Sequence, residues 1–235
     1  MRTADLKLLF DAAYVATFYT STQANLADLR VDYALLAGRQ AVTAREQAHL
    51  YAMMVQTRAL DEARGFLRDH PAASPRPLPR VRDRRPDPPR GRAVLRVAHD
   101  GDALELRNAA FDPDLQVVVV SHPLCAFTGY AIHDIERDAE LREVLRVHAI
   151  WVAPQDGNLD VATFRRWGVA HPAFPIDIAW QQAEWPEVAY WGTPAFHVYR
   201  HGAIVAQHVG WAKADSVSDL AGLRAALQGA GLLGR

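Results

Sequence analysis

Apolar residues recur every three or four positions through the first seventy residues, a spacing typical of α-helices that bury one face. The pattern predicts four successive helices, over about residues 4–19, 22–36, 44–57 and 60–69. The third begins at Thr43-Ala44-Arg45-Glu46, a capping box in which the hydroxyl binds a first-turn N–H and the carboxylate reaches back. Short consecutive helices predict a small all-α helical hairpin domain over residues 1–70.

Residues 71–92 interrupt the helical pattern. They contain seven prolines and seven arginines, too little apolar surface to form a core, and predict an extended, semi-rigid linker. The arginines could instead form a basic patch for an acidic partner or an anionic lipid. No aromatic residues alternate with them for stacking on bases, so the linker is the preferred interpretation.

From residue 93 onwards, short apolar runs of strand length alternate with segments of helical spacing. Asp100-Gly101 between two such runs indicates a hairpin. The predicted strands cover residues 93–99, 103–107, 117–120, 149–153, 175–179, 195–199 and 203–210. The predicted helices cover about residues 126–145, 159–167 and 219–227. Strands alternating with crossover helices predict an α/β domain over residues 93–235, with a mixed sheet covered on both faces.

The chain's single cysteine lies where the strand of four valines, residues 117–120, is followed by a helix. At that corner, unpaired backbone N–H groups and the helix dipole favour the thiolate of Cys125 over the thiol. The position is typical of a redox or nucleophilic cysteine. The alternative is that Cys125 is a small, buried apolar residue.

Composition narrows the classes of function. The 235 residues are 50% hydrophobic with a formal charge of −1, which favours a packed core and gives no electrostatic argument for nucleic acid. No run approaches the length of a membrane span, and charges among the first seven residues leave no export signal visible.

One cysteine excludes an intrachain disulfide and a cysteine-cluster metal site. No cofactor is predicted, and a metal site of Cys125 with His122, His133 or His197 has no recognised ligand spacing.

Residues 93–228 resemble the thioredoxin-like fold family, in particular the bacterial thiol–disulfide oxidoreductases that carry an extra N-terminal hairpin. Four features carry the resemblance: the Asp100-Gly101 hairpin, the valines before Cys125, Phe174-Pro175, and Gly192-Thr193-Pro194. The resemblance implies a cis Thr193–Pro194 bond lying against the cysteine, where an extended substrate segment pairs as an added strand. Trp191 is then expected to wall this groove. In the helical domain, one unit loosely resembles a tetratricopeptide repeat, too few for a repeat array.

The sequence departs from the family pattern of two cysteines separated by two residues. The motif here is Cys125-Ala126-Phe127-Thr128, so a hydroxyl replaces the second thiol. Thr128 cannot close a disulfide, but it can donate a hydrogen bond to a thiolate and lower its pKa. Leu124 replaces the usual tryptophan, and the family's buried carboxylate corresponds to Val118 or Val119. His122 could add positive charge near the sulfur, although a loop histidine without a specific role is the simpler interpretation.

Two hypotheses follow. In the first, the protein is a monothiol redox protein that acts on protein or small-thiol disulfides through Cys125. It would then be a thiol–disulfide oxidoreductase that lacks a resolving cysteine. In the second, it is a redox-silent binding or adaptor protein, in which the helical domain holds one protein partner and the groove beside Pro194 holds a peptide. The family resemblance favours a periplasmic location, whereas the lack of a visible export signal favours the cytoplasm. The sequence therefore does not assign a compartment.

Overall fold

The computed structural model describes residues 1–234. The chain forms two compact units. The helical unit comprises Met1–Pro79 with Gln155–Leu159, and the α/β unit comprises Arg80–Pro154 with the chain from Asp160 onwards. Among the described residues, no helix combines the length and the apolar character needed to cross a bilayer.

The helical unit contains four helices: α1 (Thr3–Thr20), α2 (Gln23–Ala37), α3 (Ala44–Gln56) and α4 (Leu60–Asp69). The Thr22 hydroxyl caps α2 by accepting from the Asn25 N–H. The predicted capping box at the start of α3 is confirmed, with the Thr43 N–H donating to the Glu46 carboxylate at 2.8 Å. These caps satisfy first-turn donors, so the helices begin where the sequence indicates.

The α/β unit is built on one mixed sheet of eight strands. The strands are β1 (Arg80–Asp83), β2 (Ala93–Val97), β3 (Ala103–Asn108), β4 (Leu115–Val120), β5 (Ala149–Ala153), β6 (Ile176–Ala179), β7 (Ala195–Arg200) and β8 (Ala203–Val209). Their order in the sheet is β1-β3-β2-β6-β5-β4-β7-β8. The central strands β4, β5 and β6 are parallel, whereas β7 and β8 are antiparallel to their neighbours. The predicted α/β class with a mixed sheet is therefore confirmed.

Four helices accompany the sheet: α5 (Ala126–Arg137), α6 (Ala139–His148), α7 (Val161–Ala170) and α8 (Val217–Gly229). Contacts between His171 and Glu136 at 2.8 Å and between Arg224 and Asp138 at 2.7 Å hold α7 and α8 beside the α5–α6 pair. The other sheet face is covered by connecting segments that contribute Trp185 and other apolar side chains. Both faces of the sheet are covered, as predicted, but helices cover one face and connecting segments cover the other.

The structure differs from the sequence-based prediction at two places in this unit. Arg80–Asp83, predicted as linker, forms edge strand β1 and pairs in parallel with β3. The Arg82 guanidinium lies 2.7 Å from the Asp100 carboxylate at the hairpin turn. The composition of residues 71–92 alone does not indicate this ion pair, because its partner lies outside the segment. The single helix predicted after Cys125 is divided at Asp138, which ends α5 and caps α6 by accepting from two backbone N–H groups.

One buried carboxylate joins α5 to the segment between β8 and α8. Asp134 is 3% exposed and accepts from the Trp211 indole N–H at 2.9 Å and from the backbone N–H groups of Asp215 and Ser216 at 2.7 and 3.0 Å. A buried charge is tolerated where several donors replace the lost water. Asp134 thus fixes the helix that follows Cys125 against the Trp211 segment.

We expect Asp134→Asn to lower the free energy of unfolding by about 2–4 kcal/mol, because the new amide group faces N–H donors and leaves one of them unpaired. Denaturant unfolding monitored by circular dichroism measures the loss. The matched control is Asp215→Asn. The Asp215 side chain is exposed, and asparagine tolerates the positive φ angle at this position, so the variant should change stability by less than about 0.5 kcal/mol. Equal stability of both variants and the parent protein would contradict this role for Asp134.

Candidate functional site

Cys125 occupies the corner between β4 and α5, as the sequence predicts. β4 ends at Val120, and Cys125 is the N-cap residue of α5, with an extended backbone. The Cys125 N–H donates to the His122 carbonyl at 3.0 Å, which closes the intervening loop. The side chain is half-buried, so the sulfur is supported by the fold and still accessible.

The segment before β7 lies against this sulfur. The Cys125 Sγ is 3.4 Å from the Thr193 carbonyl oxygen, across 68 residues of sequence. The Thr193–Pro194 peptide bond is cis, so the isomer expected from the resemblance is confirmed. Antiparallel pairing of β4 with β7 sets Val120 opposite Ala195 and so brings the preceding Thr193 to the end of β4.

Hydrogen bonds to the sulfur decide its ionisation. Burial raises the pKa of the Cys125 thiol, but donors from the Thr193 side chain, the Thr128 N–H and hydroxyl, and the Phe127 N–H outweigh it. The pKa therefore lies below the usual cysteine value, because these donors stabilise the thiolate. Thr128 is fully buried, which holds its hydroxyl within the first turn of α5.

His122 is bound within the loop that leads to the cysteine. Its Nδ1 accepts from the Leu124 N–H at 3.1 Å, and its ring meets Phe164 edge-on at 5.5 Å. These two contacts hold the His122 side chain within the loop that precedes Cys125.

An open groove of about 490 Å³ extends from Thr193 along the end of β8 to the start of α8. Its walls are mainly aromatic and aliphatic, with one carboxylate: Phe127, Tyr190, Val209, Trp211 and Asp219. Phe127 and Tyr190 are each about half exposed, and Leu124 before the cysteine is 67% exposed. A contiguous exposed apolar surface of this kind is typical of a binding site.

Trp191, expected to wall the groove beside Pro194, is not among the residues that line the open groove described above. Its ring packs edge-on against Trp185 at 6.4 Å, within the apolar cover of the opposite sheet face. Neighbouring residues of an extended segment point in opposite directions, so Tyr190 lines the groove instead. Tyr190 folds so closely over Gly192 that any side chain at 192 would meet its ring at about 2.1 Å. Gly192, which leaves room for the Tyr190 ring, is therefore the residue from which this position of Tyr190 could have been predicted.

No metal centre is indicated at the cysteine. Among the described residues, the cluster with metal-ligand spacing is His133, Asp134 and Asp215, which does not include Cys125. The Asp134 oxygens already accept three N–H groups, and Arg137 lies 3.1 Å from Asp215. A cation would have to displace these bonds and face a guanidinium, which argues against a metal there.

Comparison with protein-family models finds no family that matches the chain. A search of curated proteins likewise finds no match. The interpretation of the site therefore depends on its geometry and chemistry.

We expect the pH–rate curve for iodoacetamide alkylation of Cys125 to have its midpoint below that of an unstructured cysteine peptide, since donors stabilise the thiolate. Thr128→Val removes one donor, so its midpoint should move to higher pH, with an alkylation rate at pH 7 lower by about threefold. Thr128→Ser, which keeps the hydroxyl, is the matched control and should resemble the parent. A parent midpoint at or above that of the free peptide would rule out an activated thiol.

Proposed function

We propose that the α/β unit is a thioredoxin-like domain and that the protein is a monothiol redox protein acting on protein or small-thiol disulfides through Cys125. The observation that carries the proposal is the position of the sulfur. It lies at the N-cap of α5, half-buried, with its pKa lowered, and 3.4 Å from the carbonyl that precedes a cis-proline. The sheet order and the β2–β3 hairpin are compatible with such a domain.

The chemistry is a thiol–disulfide exchange in two steps. The Cys125 thiolate attacks one sulfur of a substrate disulfide, forms a mixed disulfide and expels the other substrate sulfur as a thiolate. The chain has no second cysteine to resolve this adduct, and Thr128 occupies the position one turn along the helix. An external thiol, such as a low-molecular-weight thiol or a partner's cysteine, must attack the mixed disulfide and restore the Cys125 thiolate.

The surroundings of the sulfur favour an extended, partly apolar substrate. The Thr193 backbone lies beside Cys125 and ahead of β7, where a substrate strand can add its own backbone hydrogen bonds. Phe127 and Tyr190 offer apolar contacts on the groove side. A protein disulfide with apolar neighbouring residues fits this surface better than a highly charged small molecule.

Reduced full-length protein mixed with an excess of a disulfide-containing peptide should form a 1:1 adduct at Cys125, detectable by intact mass. The adduct should persist until glutathione is added, because the chain contains no resolving thiol. Cys125→Ser should form no adduct. Adduct formation no faster than with an unstructured cysteine peptide would contradict the redox proposal.

A second variant tests the geometry separately. In Thr128→Cys the new thiol replaces the hydroxyl that donates to the sulfur, so we expect an intramolecular disulfide and rapid loss of the mixed adduct. The mass should fall by about 2 Da on oxidation. Failure to form the 125–128 disulfide under oxidising conditions would mean that this corner lacks the geometry of a dithiol motif.

The exposed apolar groove favours one alternative, a redox-silent adaptor that binds a peptide without chemistry at sulfur. Cys125→Ala distinguishes the two functions. If the variant retains the cellular function, the protein acts as an adaptor through its groove. If the function is lost while the fold is unchanged, the protein acts through the Cys125 sulfur.

A further inference from the structure

The groove that extends from Thr193 contains a single charged side chain. Asp219 is the one charged residue among those that line it, and the others are aromatic, aliphatic or uncharged polar residues. Lys213 lies on the segment that leads to α8, but it is not among the lining residues. The charge on the wall of the groove is therefore negative.

The fold satisfies one oxygen of this carboxylate. Asp219 lies in the first turn of α8, where its Oδ2 accepts from the Ala212 N–H at 2.9 Å and from the Ser216 hydroxyl. Its Oδ1 accepts no hydrogen bond within the described chain, and the His208 Nε2 lies 3.8 Å from it. That distance is too long for a hydrogen bond. One oxygen thus caps the helix, and the other is available to a donor that enters the groove.

The Asp219 carboxyl is ionised at neutral pH. Burial raises its pKa, but hydrogen bonds from Ser216 and Ala212 and the nearby His208 outweigh burial, so the pKa lies below the usual aspartate value. Burial also lowers the pKa of His208, so this ring is mostly uncharged at about pH 7.5 and does not cancel the negative charge. The groove therefore holds an uncompensated carboxylate.

Three aromatic side chains share the walls with this carboxylate: Phe127, Tyr190 and Trp211. Aromatic rings attract ammonium and guanidinium groups, and the aliphatic stems of lysine and arginine pack on apolar surfaces. Rings and a carboxylate together match a basic side chain. An acidic side chain would be repelled, and a purely apolar one would leave Asp219 without a partner.

We propose that this groove selects substrates with a lysine or arginine near the disulfide-bonded cysteine, and that the Asp219 Oδ1 accepts a hydrogen bond from that basic side chain. The inference rests on the redox function proposed above and names its substrate class. A substrate strand beside Thr193 turns alternate side chains to the same side, so we expect the basic residue two positions from the substrate cysteine. Asp219 is then a specificity residue and takes no part in the thiol–disulfide exchange.

A series of nonapeptides that differ at one position tests the charge preference on reduced full-length protein. Each peptide carries one cysteine as a mixed disulfide with 2-mercaptoethanol, and lysine, norleucine or glutamate two positions before or after it. The rate of peptide adduct formation at Cys125, measured by intact mass, is divided by the rate with an unstructured cysteine peptide. On at least one side of the cysteine, lysine should react at least about fivefold faster than norleucine and about 20-fold faster than glutamate.

Two variants test whether Asp219 is the source of this preference. Asp219→Asn keeps an oxygen that can accept from Ser216 and Ala212 but removes the charge, so the lysine-to-glutamate ratio should fall to within about twofold. Asp219→Ser removes the same charge with a different capping side chain, in case the amide variant fails to fold. The matched control is Asp215→Asn, which removes an exposed carboxylate outside the groove and should keep the parent ratio. Far-UV circular dichroism checks the fold of each variant.

The same peptides with serine in place of cysteine measure binding without chemistry, by fluorescence anisotropy of a fluorescein label. Equal normalised rates and equal affinities for the lysine and glutamate peptides overturn the inference, as does a preference that both Asp219 variants retain. Tighter binding of the lysine peptide that depends on Asp219, without any adduct, contradicts the redox function and supports the cation site. Adducts without a charge preference support the redox function alone, and peptides that neither bind nor react overturn both.

Discussion

The antiparallel pairing of β4 with β7 is the constraint on which the rest of the α/β unit depends. It sets the end of the valine strand opposite the start of β7, so that Thr193 and Pro194 lie beside the loop leading to Cys125. The valines of β4 are fully buried, so a slip of one residue in the pairing would turn their side chains to the other face of the sheet. The contact between the sulfur and the Thr193 carbonyl is a direct consequence of the register.

The second constraint acts on the helix that carries the sulfur. Asp134 holds α5 against the Trp211 segment, and Trp211 forms part of the groove wall. The thiol, the groove and the carboxylate are thus parts of one supported structure. Within it, Thr128 stands where a second thiol would allow internal resolution. The Thr128 hydroxyl donates a hydrogen bond to the sulfur and cannot form a disulfide, so the proposed redox function requires another thiol to complete the exchange.

The sequence by itself determined the features that depend on neighbouring residues. The start of α3 at its capping box, the bounds of α4 and β5, and the position of Cys125 between a strand and a helix follow from periodicity and local hydrogen bonds. The tertiary structure alone decided the features that join distant segments. These include strand β1 in a proline-rich stretch, the Asp134 carboxylate, and the choice of Tyr190 rather than Trp191 for the groove. Strand β1 and the Asp134 contacts depend on partners more than twenty residues away, and no local pattern records which partner the fold brings near.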